Sequence, residues 1–246
     1  MMLMLRSLLF NIGFYALTIF MSAVALPLLV LPRRGAVELL RLWSRLVVGM
    51  LRVLCGVRVE LRGMENIPAG ACVVAAKHQS AFDTVVWLML LPDTSYVLKK
   101  ELLSIPLYGW HARKARMIPV DRAGGGAALR SMLRAASAAL AEGRQVVIFP
   151  EGTRTAPGRR VPYQPGVVAI AGAASVPVIP VATDSGRIWG RRAFLKRPGV
   201  IRISVLPPLP PGLPRARLLR ELEQAIESET DRLLAEGSPP VDKLVG

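Results

Sequence analysis

Residues 7–32 run for 26 positions without a charged side chain, and no other stretch constrains the chain as strongly. As one helix the run would reach about 39 Å at about 1.5 Å rise per residue, more than the roughly 30 Å hydrocarbon core of a bilayer. A secretory signal is the competing reading. Its apolar region is normally shorter than this run. Asn11, Gly13 and Pro27 leave room for a kinked or re-entrant path. The next stretch, 36–55, differs. Its charges, Glu38, Arg41, Arg45 and Arg52, fall in an arc of roughly 60° at about 100° per residue, and the rest is largely apolar. That suits a basic amphipathic helix lying among lipid headgroups. A helix packed on the protein's own core would show the same pattern.

If 7–32 span, Arg33, Arg34, Arg41, Arg45 and Arg52 follow the span and only Arg6 precedes it. The excess of positive charge then puts the remainder in the cytoplasm. Two helices dipping into one leaflet would leave it there too. Composition agrees with a membrane setting: 52% of the residues are hydrophobic and the mean hydropathy is +0.40. The formal net charge of +15 calls for anionic partners. Basic charge beside a long apolar run favours anionic membrane lipids over nucleic acid, and no nucleic-acid partner is expected. Cys55 and Cys72 form no C-x-x-C pair and lack a histidine at metal spacing. They read as buried or membrane-facing free thiols, with no metal site and no disulfide framework.

From residue 57 onward short apolar runs alternate with helical stretches. Strand patterns fall at 57–61, 71–76, 95–98, 115–120, 146–149, 176–182 and 200–206. Helical patterns fall at 83–91, 127–141, 167–174 and 215–235. The alternation predicts an α/β layered domain over 57–246 with a central, mostly parallel sheet flanked by helices, preceded by a membrane-anchoring helical part over 1–56.

His78 closes the apolar run 71–76 and Asp83 opens the next helical stretch. Across a strand-to-helix turn, the two side chains can face each other. An aspartate on Nδ1 fixes the imidazole tautomer and leaves Nε2 to accept a proton, so a substrate hydroxyl can serve as nucleophile. Alone, this spacing is weak, since a surface histidine and a helix-capping aspartate share it. A second motif, Phe149-Pro150-Glu151-Gly152-Thr153-Arg154, follows a buried strand where open α/β sheets bind ligands. Arg154 is a candidate phosphate clamp, and Glu151 a candidate acceptor from substrate hydroxyls. Arg122 is a further phosphate candidate. Gly124, Gly125 and Gly126 lack the Lys-Ser/Thr ending of a phosphate loop.

The chain resembles the lysophospholipid acyltransferase family, in particular its bacterial 1-acylglycerol-3-phosphate acyltransferases. Four ordered blocks carry the resemblance: His78-Gln79-Ser80-Ala81-Phe82-Asp83, residues 109–122, the motif from Phe149 to Arg154, and Val176-Pro177-Val178-Ile179-Pro180-Val181. Pro119, where an apolar residue is more usual, is a departure. The resemblance implies acyl transfer from acyl-CoA or acyl carrier protein to lysophosphatidic acid, with no cofactor beyond that donor. It implies that His78 is the base and Asp83 its support. It assigns acceptor binding to Lys99, Arg122, Glu151, Gly152, Thr153 and Arg154, and the border of the acyl site to Val178 and Pro180. It also implies a two-helix anchor at the bacterial inner membrane, with the catalytic part on the cytoplasmic side. Another lysolipid acceptor, such as lyso-ornithine lipid, would keep the fold. A non-catalytic basic membrane-binding protein is the alternative from another class.

Overall fold

The computed structural model describes residues 1–121 and 124–237. In chain order the elements are α1 (Met2–Val24), α2 (Arg33–Cys55), β1 (Val57–Arg62), β2 (Cys72–Ala76), α3 (Phe82–Leu90), β3 (Thr94–Lys99), α4 (Tyr108–Lys114), β4 (Ile118–Val120), α5 (Gly125–Ala141), β5 (Gln145–Ile148), α6 (Gly166–Ala174), β6 (Val178–Thr183), α7 (Ser185–Ile188), β7 (Gly199–Val205) and α8 (Arg215–Gly237). The strands form one seven-stranded sheet in the order β1-β7-β6-β2-β5-β3-β4. Every neighbouring pair is parallel except β6 with β7. The mostly parallel α/β sheet expected from the alternation is therefore present.

The apolar runs work as they do because β2, β5 and β6 are covered on both faces. Side chains alternate across a strand. Cys72, Val74 and Ala76 of β2 accordingly enter one core with α2 and α3, while Val73 and Ala75 enter the other with α5, α6 and α8. Both cysteines are buried free thiols. Two helices are followed by a left-handed glycine: Gly56 closes α2 at φ +68°, and Gly143 follows α5 at φ +78°.

Two local expectations change. The uncharged run 7–32 is not one helix. α1 stops at Val24, a 3-10 turn over Leu26–Leu29 follows, and the chain reverses into α2 just after Pro32. Proline cannot supply the N–H that continuing the helix would need. The run 115–120 is strand only from Ile118, because Ala115 and Arg116 cap the short helix α4, Arg116 with φ +55°.

α1 and α2 form an antiparallel hairpin lying along the domain. Trp43 Nε1 donates to Thr18 Oγ1 at 3.1 Å. At the start of α1, Ser7 accepts the Lys196 N–H at 3.0 Å, and Lys196 Nζ lies over the Phe10 and Trp189 rings. At its far end, the Ser22 carbonyl meets His111 Nε2 at 2.9 Å. Phe10, Val47, Leu51 and Cys55 share a core with β1 and β7. Position 56 is thus a change of element and not a break in packing. The outer faces stay apolar: Leu5, Leu8, Ile12, Tyr15 and Ile19 recur at helical spacing on α1, and Leu42, Leu46 and Val53 on α2, all exposed. By length and composition α1 could cross a membrane.

Candidate active site

Because β2, β5, β3 and β4 are parallel, their C-terminal ends lie along one edge of the sheet. Ligands of open α/β sheets gather at that edge. β2 delivers Lys77 and His78 there, β3 delivers Lys99, and β5 delivers the turn from Phe149 to Arg154.

His78 Nδ1 lies 3.2 Å from Asp83 Oδ2. The same oxygen accepts the N–H groups of Gln79 at 2.7 Å and Ser80 at 2.8 Å. Oδ1 accepts the Ser185 hydroxyl at 2.6 Å. Asp83 is thus both the partner of the imidazole and the acceptor that shapes the turn. Both of its oxygens are therefore occupied by contacts within the turn and with Ser185. A carboxylate acceptor on Nδ1 favours the tautomer with the ring proton there and leaves the Nε2 lone pair free to act as base. The ring stacks on Phe149 with centroids 4.0 Å apart and planes 17° apart, so its orientation is fixed by packing as well as by charge.

His78 opens onto a cavity of about 1130 Å³. Around it stand Lys99, Gly152, Thr153 and Arg154, together with Arg191 and Arg192, which the sequence reading did not single out. The other wall is apolar and comes partly from the hairpin: Met21 of α1, Leu39, Leu40 and Trp43 of α2, with Leu88, Leu102, Ile105 and Met117. One cavity is therefore lined by an imidazole, by cationic side chains and by apolar side chains that come partly from the hairpin. Lys99 Nζ also pairs with Glu101 at 3.1 Å. Arg122 lies outside the described residues. Arg191 and Arg192 belong to the loop between α7 and β7, far from any motif in sequence, which is why spacing did not reveal them.

Two expectations are corrected. Although Glu151 borders the cavity, its carboxylate is wholly enclosed and engaged inward: Oε2 accepts the His78 N–H at 2.7 Å, and Oε1 meets Lys77 Nζ at 2.9 Å and accepts the Thr155 hydroxyl. Its carboxylate oxygens are taken up by contacts within the protein. Burial pushes the Glu151 carboxyl upward, while Lys77 and Thr155 pull it down. Val178 and Pro180 do not border the cavity. They lie within β6, opposite Val73 and Ala75 of β2, in a strand covered on both faces. Gly152 holds the turn open at φ +67°, and its N–H donates to the Phe149 carbonyl at 2.9 Å, so that group is spent within the turn.

Known proteins resemble this chain along most of its length. Residues 58–184 match the family model described as Acyltransferase. The 1-acyl-sn-glycerol-3-phosphate acyltransferase of Pseudomonas aeruginosa is 36% identical over 197 residues, covering 80% of this chain and 77% of that one. The 1-acyl-sn-glycerol-3-phosphate acyltransferase alpha of Mus musculus is 32% identical over 206 residues, covering 81% of this chain and 71% of that one. In fold, the chain superposes on the crystal structure of the 1-acyl-sn-glycerophosphate (LPA) acyltransferase PlsC from Thermotoga maritima with a TM-score of 0.77. That match covers 96% of this chain and 98% of the other at 24% identity.

Proposed function

Since the chain belongs to the acyltransferase family, we propose that it moves a fatty acyl group to the sn-2 hydroxyl of 1-acyl-glycerol 3-phosphate and makes phosphatidic acid for phospholipid synthesis. The observation that carries this reading is the His78–Asp83 pair, with His78 lining a cavity that also has cationic and apolar side chains in its wall. A lysophospholipid has groups to match: a phosphate, a free hydroxyl and a hydrocarbon tail.

In this mechanism His78 Nε2 takes the proton of the acceptor hydroxyl as its oxygen attacks the carbonyl carbon of an acyl thioester. The C–S bond then breaks, and the departing sulfur takes the proton back from the imidazolium. Asp83 holds the ring and offsets its transient charge. The donor is acyl-CoA or acyl carrier protein. Arg154 and Lys99, joined by Arg122, hold the acceptor phosphate. Glu151 serves by holding the His78 main chain.

The same reading attaches the protein to anionic lipid through the hairpin. α1 touches the domain near both of its ends, at Ser7 and at Ser22, so crossing a bilayer would cost those contacts. Its exposed apolar stripe and that of α2 favour insertion into one leaflet. The setting proposed is the cytoplasmic face of a bacterial inner membrane.

Purified protein given a radiolabelled acyl thioester and a panel of acceptors tests the reading. Labelled phosphatidic acid is the expected product with lysophosphatidic acid. Product with lyso-ornithine lipid alone, or with no acceptor, would sink it. The phosphate role has its own signature. A charged hydrogen bond to phosphate contributes roughly 1.5–3 kcal/mol, so Arg154→Ala should raise KM for lysophosphatidic acid about 10-fold or more while kcat changes little. Steady-state kinetics at varied acceptor concentration decides; an unchanged KM removes Arg154 from the phosphate site.

A further inference from the structure

Lys77 stands immediately before His78 and is among the largest side chains in the protein that are wholly enclosed. Enclosing an ammonium costs several kcal/mol unless opposite charge meets it. Lys77 Nζ lies 2.9 Å from Glu151 Oε1 and 2.6 Å from Glu227 Oε1. Glu227 belongs to α8, 150 positions along the chain from Lys77, and is itself 4% exposed. The Tyr163 hydroxyl donates to the same Glu227 oxygen at 2.8 Å, and the Arg160 guanidinium approaches Oε2 at 3.9 Å. On the other side, Glu151 Oε2 accepts the His78 N–H, and the Thr155 N–H donates to the His78 carbonyl at 2.8 Å. A continuous line of charged contacts therefore runs from α8 through Lys77 and Glu151 to the peptide of His78. Lys77, Tyr163 and Glu227 do not border the large cavity, so no ligand there touches them.

We infer that Lys77 and Glu227 are positioning residues for acyl transfer: through Glu151 they hold the main chain of His78 where its ring meets Asp83 and faces the cavity. The inference rests on the reading of His78 as the base. A charged Glu151 binds both the His78 N–H and Lys77 more strongly than a neutral one would. Glu227 competes for the same ammonium and sets how much of it Glu151 receives. α8 thus completes a catalytic site whose other parts lie on the sheet edge. A tie that only fastens α8 to the sheet would affect melting and leave the turnover of folded enzyme alone.

The groups facing Glu151 give that distinction a sign. They are Lys77 from the end of β2, the His78 N–H, Thr155 from its own turn, Tyr163 from the segment before α6, and Glu227 from α8, with Arg160 beyond it. Removing the Lys77 charge favours protonated Glu151, so loss of activity on acidification begins at higher pH. Removing the Glu227 charge leaves Lys77 to Glu151, so the same loss begins at lower pH. A packing defect would not move the two in opposite directions.

The test uses full-length protein in detergent micelles and compares Glu227→Gln, Lys77→Met, Tyr163→Phe and His78→Ala by melting, kcat, KM and pH profile. For Glu227→Gln we expect kcat to fall about 10-fold, as a small displacement of a reacting group does, with KM for lysophosphatidic acid within about 2-fold. The acid limb of kcat should move down for Glu227→Gln and up for Lys77→Met. Tyr163→Phe should lower kcat less, again without changing KM. It supplies the kcat-against-KM readout if the charge variants fail to fold, and a wild-type kcat in it would then count against the inference. A Glu227→Gln protein that melts early yet keeps the wild-type kcat and acid limb would overturn it. An active His78→Ala protein would instead defeat the reading of the base on which the inference rests.

Discussion

His78→Ala should lower kcat by about 10²-fold or more while leaving the fold nearly as stable as before. Such a loss is about 2.7 kcal/mol of transition-state stabilisation. The expectation of an intact fold follows from how the residue is held. The contacts that stitch the Glu151–Thr155 turn to position 78 use its main chain: the N–H to Glu151 and the carbonyl from the Thr155 N–H. Alanine retains both. What it removes is the ring over Phe149, together with the nitrogen that would take the acceptor's proton. Acyl transfer from a radiolabelled thioester to lysophosphatidic acid, beside a melting curve, separates chemistry from folding. Activity within about fivefold of wild type would exclude a general base at this position, since base catalysis contributes more than that.

Asp83→Ala should damage activity and stability together. The carboxylate accepts the Gln79 and Ser80 N–H groups, the Ser185 hydroxyl and the imidazole. Methyl in its place strands the two main-chain donors in a buried turn, and each buried unpaired donor costs about 1–3 kcal/mol. A total near 3 kcal/mol corresponds to a fall in Tm of about 6–12 °C for a chain of this size. Loss of the partner on Nδ1 also frees the ring to take the wrong tautomer, so kcat should drop by about 10²-fold or more at temperatures where the variant is folded. Melting followed by kinetics checks both halves. Full stability with lost activity would mean that Ser185 or water satisfies the turn; full activity with lost stability would make Asp83 a capping residue alone. The contrast with His78→Ala is diagnostic. The two side chains act on one step, yet only the aspartate also builds the turn that carries them.

The site residues divide by how far apart their partners lie. Gln79, Ser80 and Asp83 make a local turn, and the His78–Asp83 spacing allows the pairing without by itself establishing it. Gly152 is local too, its positive φ belonging to the turn after β5. Glu151 was legible as part of that motif but its direction was not. Whether a carboxylate faces the cavity or the interior depends on where the nearest buried cation stands. Here that cation is Lys77, brought alongside by the pairing of β2 with β5. Lys77 did carry a signal, a lysine closing a continuous apolar run, but nothing near it in sequence names its partners. Glu227 carried no signal at all, since it sits in a charged helix whose exposed faces are rich in the same residue types.

Sequence alone determined the alternation of buried strands with helices, the imidazole–carboxylate spacing, the basic turn after β5 and the apolar character of the first helix. All of these depend on hydrogen bonding and hydrophobic periodicity within about ten residues of chain. Only the tertiary structure decided that the uncharged run folds back as a hairpin against the domain, that Val178 and Pro180 stand away from the cavity, that Arg191 and Arg192 stand beside it, and that α8 reaches the site through Glu227. The physical reason is common to all four. Each turns on which elements become neighbours, and that is settled by strand order and by the pairing of buried charges across the whole chain, which no local pattern of side chains records.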